Sequence, residues 1–184
     1  MNTLVLCVVW TVASFSFYFI EFYMNLVPTN NLYLLSGIIG AADMIGGCLF
    51  LFLVQYFSFK RVLLRVFALM TVASFTLYVA VFNLDPDAEL SSFLNISLAL
   101  LVFLIRLSAT ISFAMAYYGT AAITPPKVVS TVYSITNVTC RAFTMFAPFI
   151  ANTSSDPIIF VTVLAILAFI SSFFITTDTR NAEF

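Results

Sequence analysis

One segment decides the fold: residues 130–148 read STVYSITNVTCRAFTMFAP, an apolar run long enough to cross a membrane that carries Arg141 near its middle. On a helix, its polar residues follow at steps of four, three, four and three and form one stripe; they are Ser130, Ser134, Asn137, Arg141 and Thr144. An arginine at bilayer depth costs several kcal/mol and requires a partner. The stripe is therefore predicted to face protein or water.

The composition of the whole chain is that of an integral membrane protein. Hydrophobic residues make up 62% of the sequence and charged residues 8%, against about 25% charged residues in an ordinary globular protein. The mean hydropathy is +1.11. Because a span takes about 20 residues, the chain has room for roughly six helices and no separate soluble domain. We predict an all-α, multi-pass protein with a single six-helix transmembrane domain over residues 1–184.

Prolines and polar turns mark where the predicted helices end. Pro28 follows the first apolar run, and the Thr124-Pro125-Pro126-Lys127 break follows the fourth, since proline removes a helical donor and clashes with the preceding turn. The first run lacks the basic n-region of a cleaved signal peptide, so we expect it to be a retained helix. The predicted helices cover about residues 3–26, 32–56, 62–82, 91–118, 128–149 and 158–175.

Basic residues in the connections predict the orientation. With six spans, every Lys and Arg in a connection or tail falls on the side of the termini: Lys60, Arg61, Arg65, Lys127 and Arg180. By the positive-inside rule both termini face the cytoplasm, or the matrix if the membrane is mitochondrial. The plasma membrane and the mitochondrial inner membrane fit the sequence equally well.

Several function classes find no support in the sequence. The chain contains no His, has a formal net charge of -1 and has no basic block, which argues against a metal site, a cofactor site or binding to nucleic acid. Cys7, Cys48 and Cys140 lie far apart in apolar runs and are expected to be buried thiols. No nucleophile and base are arranged as in an enzyme, so we predict that the protein is not one.

Four charged residues remain at apolar depth, two of each sign: Glu21, Asp43, Arg106 and Arg141. Asp43 and Arg106 both lie near the middle of their spans, which predicts an ion pair between the second and fourth helices. Arg141 is then left with Glu21 or with a ligand. Because breaking a buried pair is costly whether or not it binds anything, these charges can all be structural.

A functional alternative gives Arg141 a ligand, and a third gives one of the charges a partner on a neighbouring subunit. In the functional alternative, Arg141 lines a cavity and meets an anionic group, together with Ser134, Asn137 and Tyr117 as candidate binding residues. The sequence leaves all three interpretations open.

Short motifs spread over most of the chain point to one family. They are Asp43 among small residues, Phe59-Lys60-Arg61, the run from Arg106 through Tyr117 to Thr124-Pro125-Pro126, Cys140-Arg141-Ala142 with Ala147-Pro148-Phe149, and Asp178-Thr179-Arg180-Asn181. Together they resemble the C-terminal six-helix half of a major facilitator superfamily transporter, in particular the branch of the organic cation and organic anion transporters. In that branch, anion-handling members carry Arg in the eleventh helix, where Arg141 stands here.

The resemblance implies two possible functions. In this superfamily two six-helix halves enclose a site between them, so the chain resembles a half-transporter that moves a small organic anion after pairing with a second six-helix half. However, Ala121, Ala122 and Ile123 stand where the family has an acidic residue, and the chain has only five Gly. These departures favour a transporter-derived accessory or structural subunit of a larger membrane assembly, with the bilayer and other membrane subunits as partners.

Overall fold

The structure, a computed structural model, describes residues 2–27, 32–84, 91–153 and 156–175, and these residues form helices joined by short turns. The predicted all-α fold is confirmed for this part of the chain. The helices are α1 (Asn2–Tyr23), α2 (Leu32–Tyr56), α3 (Phe59–Phe82), α4 (Ser92–Ile123), α5 (Val129–Thr144), α6 (Ala147–Thr153) and α7 (Ile158–Phe173). The tail motif 178–181, with Arg180, lies outside the described residues.

Four helices are long and apolar enough to cross a membrane: α1, α2, α3 and α4. Helix α7 is also apolar but shorter, with 16 residues. A helix that is apolar around its whole circumference is either buried in a large core or surrounded by lipid. Since these four helices expose many large apolar side chains, they have the character of membrane spans.

The helices pack as a bundle around α1 and α4. Helix α1 contacts α4, α5, α6 and α7, while α3 packs between α4 and α7. Helix α2 lies at the edge and packs mainly against α4. The largest fully buried side chains include Trp10, Phe19, Phe59 and Phe67, together with the charged Arg106.

The predicted helix over residues 128–149 is divided in two in the structure. Helix α5 ends at Thr144 and α6 begins at Ala147. The cause is Pro148, which has no amide hydrogen to donate and whose ring crowds the carbonyl group four residues earlier, that of Thr144. The same physical reason predicts the break at Pro125, and the expected single helix over residues 128–149 is wrong because it left out Pro148.

Helix α4 continues five residues beyond its predicted end at 118, to Ile123. Thr124 then adopts an extended conformation, with φ −92° and ψ 133°, as the residue before a proline prefers. The added turn contains Gly119, where α4 crosses closely over Phe59 at the start of α3. A Cβ atom at Gly119 would lie 2.1 Å from ring atoms of Phe59.

The cysteines differ in their surroundings. Cys140 is buried and Cys7 is partly buried, but Cys48 is exposed. The expectation of three buried thiols is therefore wrong for Cys48, because α2 packs mainly against one neighbour and leaves much of its surface uncovered.

Contacts between helix ends show which ends of the helices share a side of the bundle. The Lys60 ammonium group, at the start of α3, donates to the carbonyl oxygens of Phe173 at 2.7 Å and Ile175 at 3.0 Å, where α7 ends. This places a cation at the negative end of the α7 dipole. At the opposite end of the bundle, Tyr23, Tyr78 and Asp156 line one cavity, so α1 and α3 end where α7 begins.

Candidate functional site

Arg106 is the charged residue around which the interior is organised. It lies in the middle of α4 and is 1% exposed. Its Nε donates to Asp43 Oδ1 and its Nη2 to Asp43 Oδ2, both at 2.7 Å. This two-pronged pairing is the strong arrangement that a guanidinium group forms with a carboxylate. The structure thus joins α2 to α4 through the pair expected from the sequence.

Further groups from α1 and α4 complete the surroundings of this ion pair. Arg106 Nη2 also contacts Glu21 Oε1 at 3.0 Å, and Nη1 donates to the carbonyl oxygen of Phe17. The Phe17 ring lies 3.7 Å from the guanidinium carbon, a cation–π contact. The Thr110 hydroxyl donates to Asp43 Oδ1 at 2.6 Å. A charge buried with this many partners is a structural tie between three helices.

The cluster of Arg106, Asp43 and Glu21 is not electrically balanced. With all three groups ionised it holds one positive and two negative charges. Arg106 is covered, but the Glu21 side chain is 46% exposed and that of Asp43 is 35% exposed. The excess negative charge therefore lies at the surface of the bundle.

Arg141 lies at the surface and has fewer partners. Its Nη1 donates to the Tyr18 hydroxyl at 2.8 Å, and its guanidinium carbon is 5.4 Å from the centre of the Tyr18 ring. The salt bridges in the described part of the chain are those of Arg106 with Glu21 and Asp43. The predicted alternative that Arg141 pairs with Glu21 is therefore wrong for this structure.

The register of α1 explains why Glu21 lies on Arg106. Phe17 and Glu21 are one turn apart, so they share a side of α1, and the Phe17 ring stacks on Phe113 of α4 at 5.5 Å. This contact turns Glu21 toward α4 as well. Tyr18 lies further round the helix and reaches α5, where it meets Arg141.

The other candidate binding residues differ in hydrogen bonding and in exposure. Asn137 Nδ2 donates to the Tyr133 carbonyl oxygen at 3.1 Å, and Ser134 Oγ donates to that of Ser130 at 2.9 Å. Both polar side chains thus bond to their own helix, as Ser and Asn do when no other acceptor is nearby. Tyr117 is 38% exposed at the end of α4.

An aromatic cluster that was not predicted from the sequence packs against Tyr117. The buried Trp10 ring lies 4.2 Å from Tyr117 and 6.0 Å from Tyr133, and its Nε1 donates to Thr120 Oγ1 at 2.8 Å. Trp10 is the single Trp of the chain. Trp10 precedes Phe17 by seven residues, and residues seven apart lie on one helix face. The sequence could therefore have indicated that Trp10 and Phe17 share a face of α1.

We name the exposed side chains around the two arginines the polar face. It contains the exposed or partly exposed side chains of α1, α2, α4 and α5 that surround the two arginines: Tyr18, Glu21, Asp43, Tyr117, Asn137 and Arg141. It carries negative charge at Glu21 and Asp43 and positive charge at Arg141. Within the described part of the chain, Glu21, Tyr117 and Arg141 are exposed, and the other three side chains are partly exposed.

No model of a known protein family matches the sequence, and no curated protein matches it either. The resemblance to half of a major facilitator superfamily transporter therefore stays a prediction.

Proposed function

We propose that the chain is an integral, multi-pass membrane protein that serves as an accessory or structural subunit of a larger membrane assembly and is derived from half of a transporter. The observation that carries the proposal is the polar face. Ionised groups at bilayer depth face protein or water and not lipid. Glu21 and Arg141 are both exposed on this face, so a further protein surface is expected to cover them.

The state of Arg106 also supports a structural role. A residue that binds and releases a solute needs donors that are free in the empty state. Arg106 instead directs its Nε, Nη1 and Nη2 groups at Asp43, Glu21 and the Phe17 carbonyl oxygen. It holds α1, α2 and α4 in one arrangement, which suits a subunit that does not need to move.

The proposal is tested on the protein extracted gently from its native membrane, with its mass measured by native mass spectrometry. We expect a complex that contains other membrane subunits, identified from the same sample. A species of one or two copies of this chain, with nothing else bound, would contradict a role in a larger assembly. A matched extraction in a harsh detergent, which separates subunits, gives the mass of the chain alone as the control.

A second function, a half-transporter for a small organic anion, is favoured by one specific observation. Arg141 has a single hydrogen-bonding partner in the described residues, Tyr18, and it lies beside Asn137 and the exposed Tyr117. A guanidinium group with unused donors can bind a carboxylate. Under this alternative, Arg141→Gln abolishes uptake of the anion into vesicles while Arg141→Lys retains part of it. Unchanged uptake in Arg141→Gln would exclude the alternative.

A further inference from the structure

The edge helix α2 offers the largest uncovered surface of any candidate span. Its most apolar window is 17% buried, compared with 44% to 61% for the other three. On one side of α2, beside the Arg106 cluster, residues follow at steps of four, three and four and share a face; they are Ser36, Gly40, Asp43 and Gly47. A Cβ atom at Gly40 or Gly47 would meet nothing within 4 Å. Another helix can therefore approach α2 closely here.

Helix α5 carries a stripe of matching length and opposite charge. Ser130, Ser134, Asn137 and Arg141 follow at the same steps of four, three and four. Three of the four are exposed and Asn137 is partly exposed. The third residue of the α2 stripe, Asp43, belongs to an unbalanced carboxylate cluster, whereas the last residue of the α5 stripe is an arginine without a carboxylate partner in the described residues.

The helix directions allow these two stripes to meet between two copies of the chain. Helices α2 and α4 run parallel, because Leu34 lies near Ile96 and Phe50 near Tyr118. Helix α5 runs back from the end of α4, where the Tyr133 hydroxyl donates to the Tyr117 carbonyl oxygen. In two copies with the same orientation in the membrane, α5 of one is antiparallel to α2 of the other.

The charges also lie at matching depth. Arg141 meets Tyr18, and Glu21 lies three residues further along α1, a rise of about 4.5 Å. Glu21 and Asp43 both bond to Arg106. A twofold axis along the bilayer normal preserves depth, so it can bring the partner subunit's Arg141 to the Glu21 and Asp43 carboxylates. By symmetry the same contact forms twice.

We propose that the polar face is the interface of a twofold homodimer, in which α2 of each subunit packs against α5 of the other. Arg141 of each subunit then supplies the positive charge that the carboxylate cluster of the other lacks, and both are removed from lipid. With Arg141 level with Asp43, the antiparallel packing places Asn137 against Gly47. This inference rests on one part of the proposed function, the location in the membrane, and it names a protein surface that covers the polar face.

Disulfide cross-linking between two differently tagged copies tests the interface directly. Cys7, Cys48 and Cys140 are first replaced by Ser, and one copy then carries Gly47→Cys while the other carries Asn137→Cys. Both variants should fold, since Gly47 has open space around it and Asn137 bonds only to its own helix. We expect oxidation in the membrane to join the two tags. A matched control pair, Val72→Cys with Val163→Cys, places cysteines on exposed positions of α3 and α7 and should not cross-link.

The cross-linking yields either support or overturn the dimer. A cross-link at the first pair and none at the control pair supports the dimer, and equal yields at the two pairs or none at either overturn it. If these cross-links fail while the native extract still contains other subunits, the dimer is wrong and the proposed function stands. If they form and nothing but two copies is extracted, the dimer stands and the larger assembly does not.

Charge reversal tests the electrostatic part of the same proposal. Arg141→Glu turns the inter-subunit attraction into repulsion, and removing one member of a desolvated pair alone raises a dissociation constant by about 30-fold or more. We expect Arg141→Glu to abolish the Gly47–Asn137 cross-link and Arg141→Lys to preserve it. Retention of the cross-link in Arg141→Glu would show that Arg141 does not contribute to the interface.

Discussion

At the scale of single residues, the guanidinium groups of Arg106 and Arg141 have different surroundings. Arg106 is surrounded by two carboxylates, a carbonyl oxygen and a phenyl ring. Arg141 touches one tyrosine hydroxyl at the surface. The first arrangement stabilises the fold, and the second leaves donors for something outside the chain. Substitutions at the two positions should therefore separate stability from interaction.

We expect Arg106→Gln to lower the free energy of unfolding by about 3 kcal/mol, the low end of the range for breaking a buried ion pair. The low end applies because the Asp43 and Glu21 side chains that lose their partner are 35% and 46% exposed. Thermal unfolding of the purified protein in detergent measures the effect.

The matched control for this prediction is Arg141→Gln, measured on the chain separated from its partners in a harsh detergent, where we expect stability to change by less than about 0.5 kcal/mol, as for an ordinary surface substitution. The double variant Arg106→Gln with Asp43→Asn should recover part of the loss, because it removes one of the uncompensated carboxylates. Equal melting temperatures for Arg106→Gln and Arg141→Gln would contradict the assignment of Arg106 as the tie between helices.

At the scale of the helices, packing depends on how closely two axes can approach. Helix α4 passes over the start of α3 at Gly119, with the fully buried Phe59 ring filling the space that a Cβ atom would need. At Gly46 the approach is less close, with Thr110 3.0 Å from an ideal Cβ atom. By contrast, Gly37 lies on the open surface of α2.

We expect Gly119→Ala to destabilise the protein by about 1 to 3 kcal/mol, because the new methyl group forces the buried Phe59 ring to move. Gly37→Ala is the control, since its Cβ atom would meet nothing within 4 Å and alanine is the better helix former by about 1 kcal/mol. It should leave stability unchanged or raise it. Thermal unfolding of both variants provides the comparison, and a stable Gly119→Ala protein would show that α3 and α4 are further apart than described.

At the scale of the whole molecule, the charges at the two ends of the bundle predict an orientation in the membrane. Lys60 and Arg61 lie where α3 begins and α7 ends, while Asp156 lies at the opposite end, where α7 begins. Lys127 precedes α5 on an exposed turn. From the positive-inside rule we predict that the basic end faces the cytoplasm or the matrix.

Cysteine labelling tests this orientation. In the background without native cysteines, Lys127→Cys should react with a membrane-impermeant maleimide from the cytoplasmic or matrix side only. Asp156→Cys should react from the other side only, because α5 and α6 are predicted to form one span between the two positions. Labelling of both from the same side would contradict the predicted crossing at α5 and α6.

The sequence could predict features that depend on local chemistry. Apolar runs between prolines indicate helices, and Asp43 and Arg106 near the middle of their spans indicate a pair between α2 and α4. The division at Pro148 was equally accessible, because it depends only on the missing donor and the ring of one residue. The exposure of Cys48 was not accessible, since it depends on which neighbours α2 has.

The sequence by itself determined that the chain is apolar and helical, and which charged residues lie within the helices, because composition and period along one helix need no partner. The tertiary structure alone decided that Glu21 bonds to Arg106, that Tyr18 holds Arg141, and that Trp10 joins Tyr117 and Tyr133. The physical reason is that these contacts depend on how each helix is rotated about its axis. That rotation is set by packing across several helices at once.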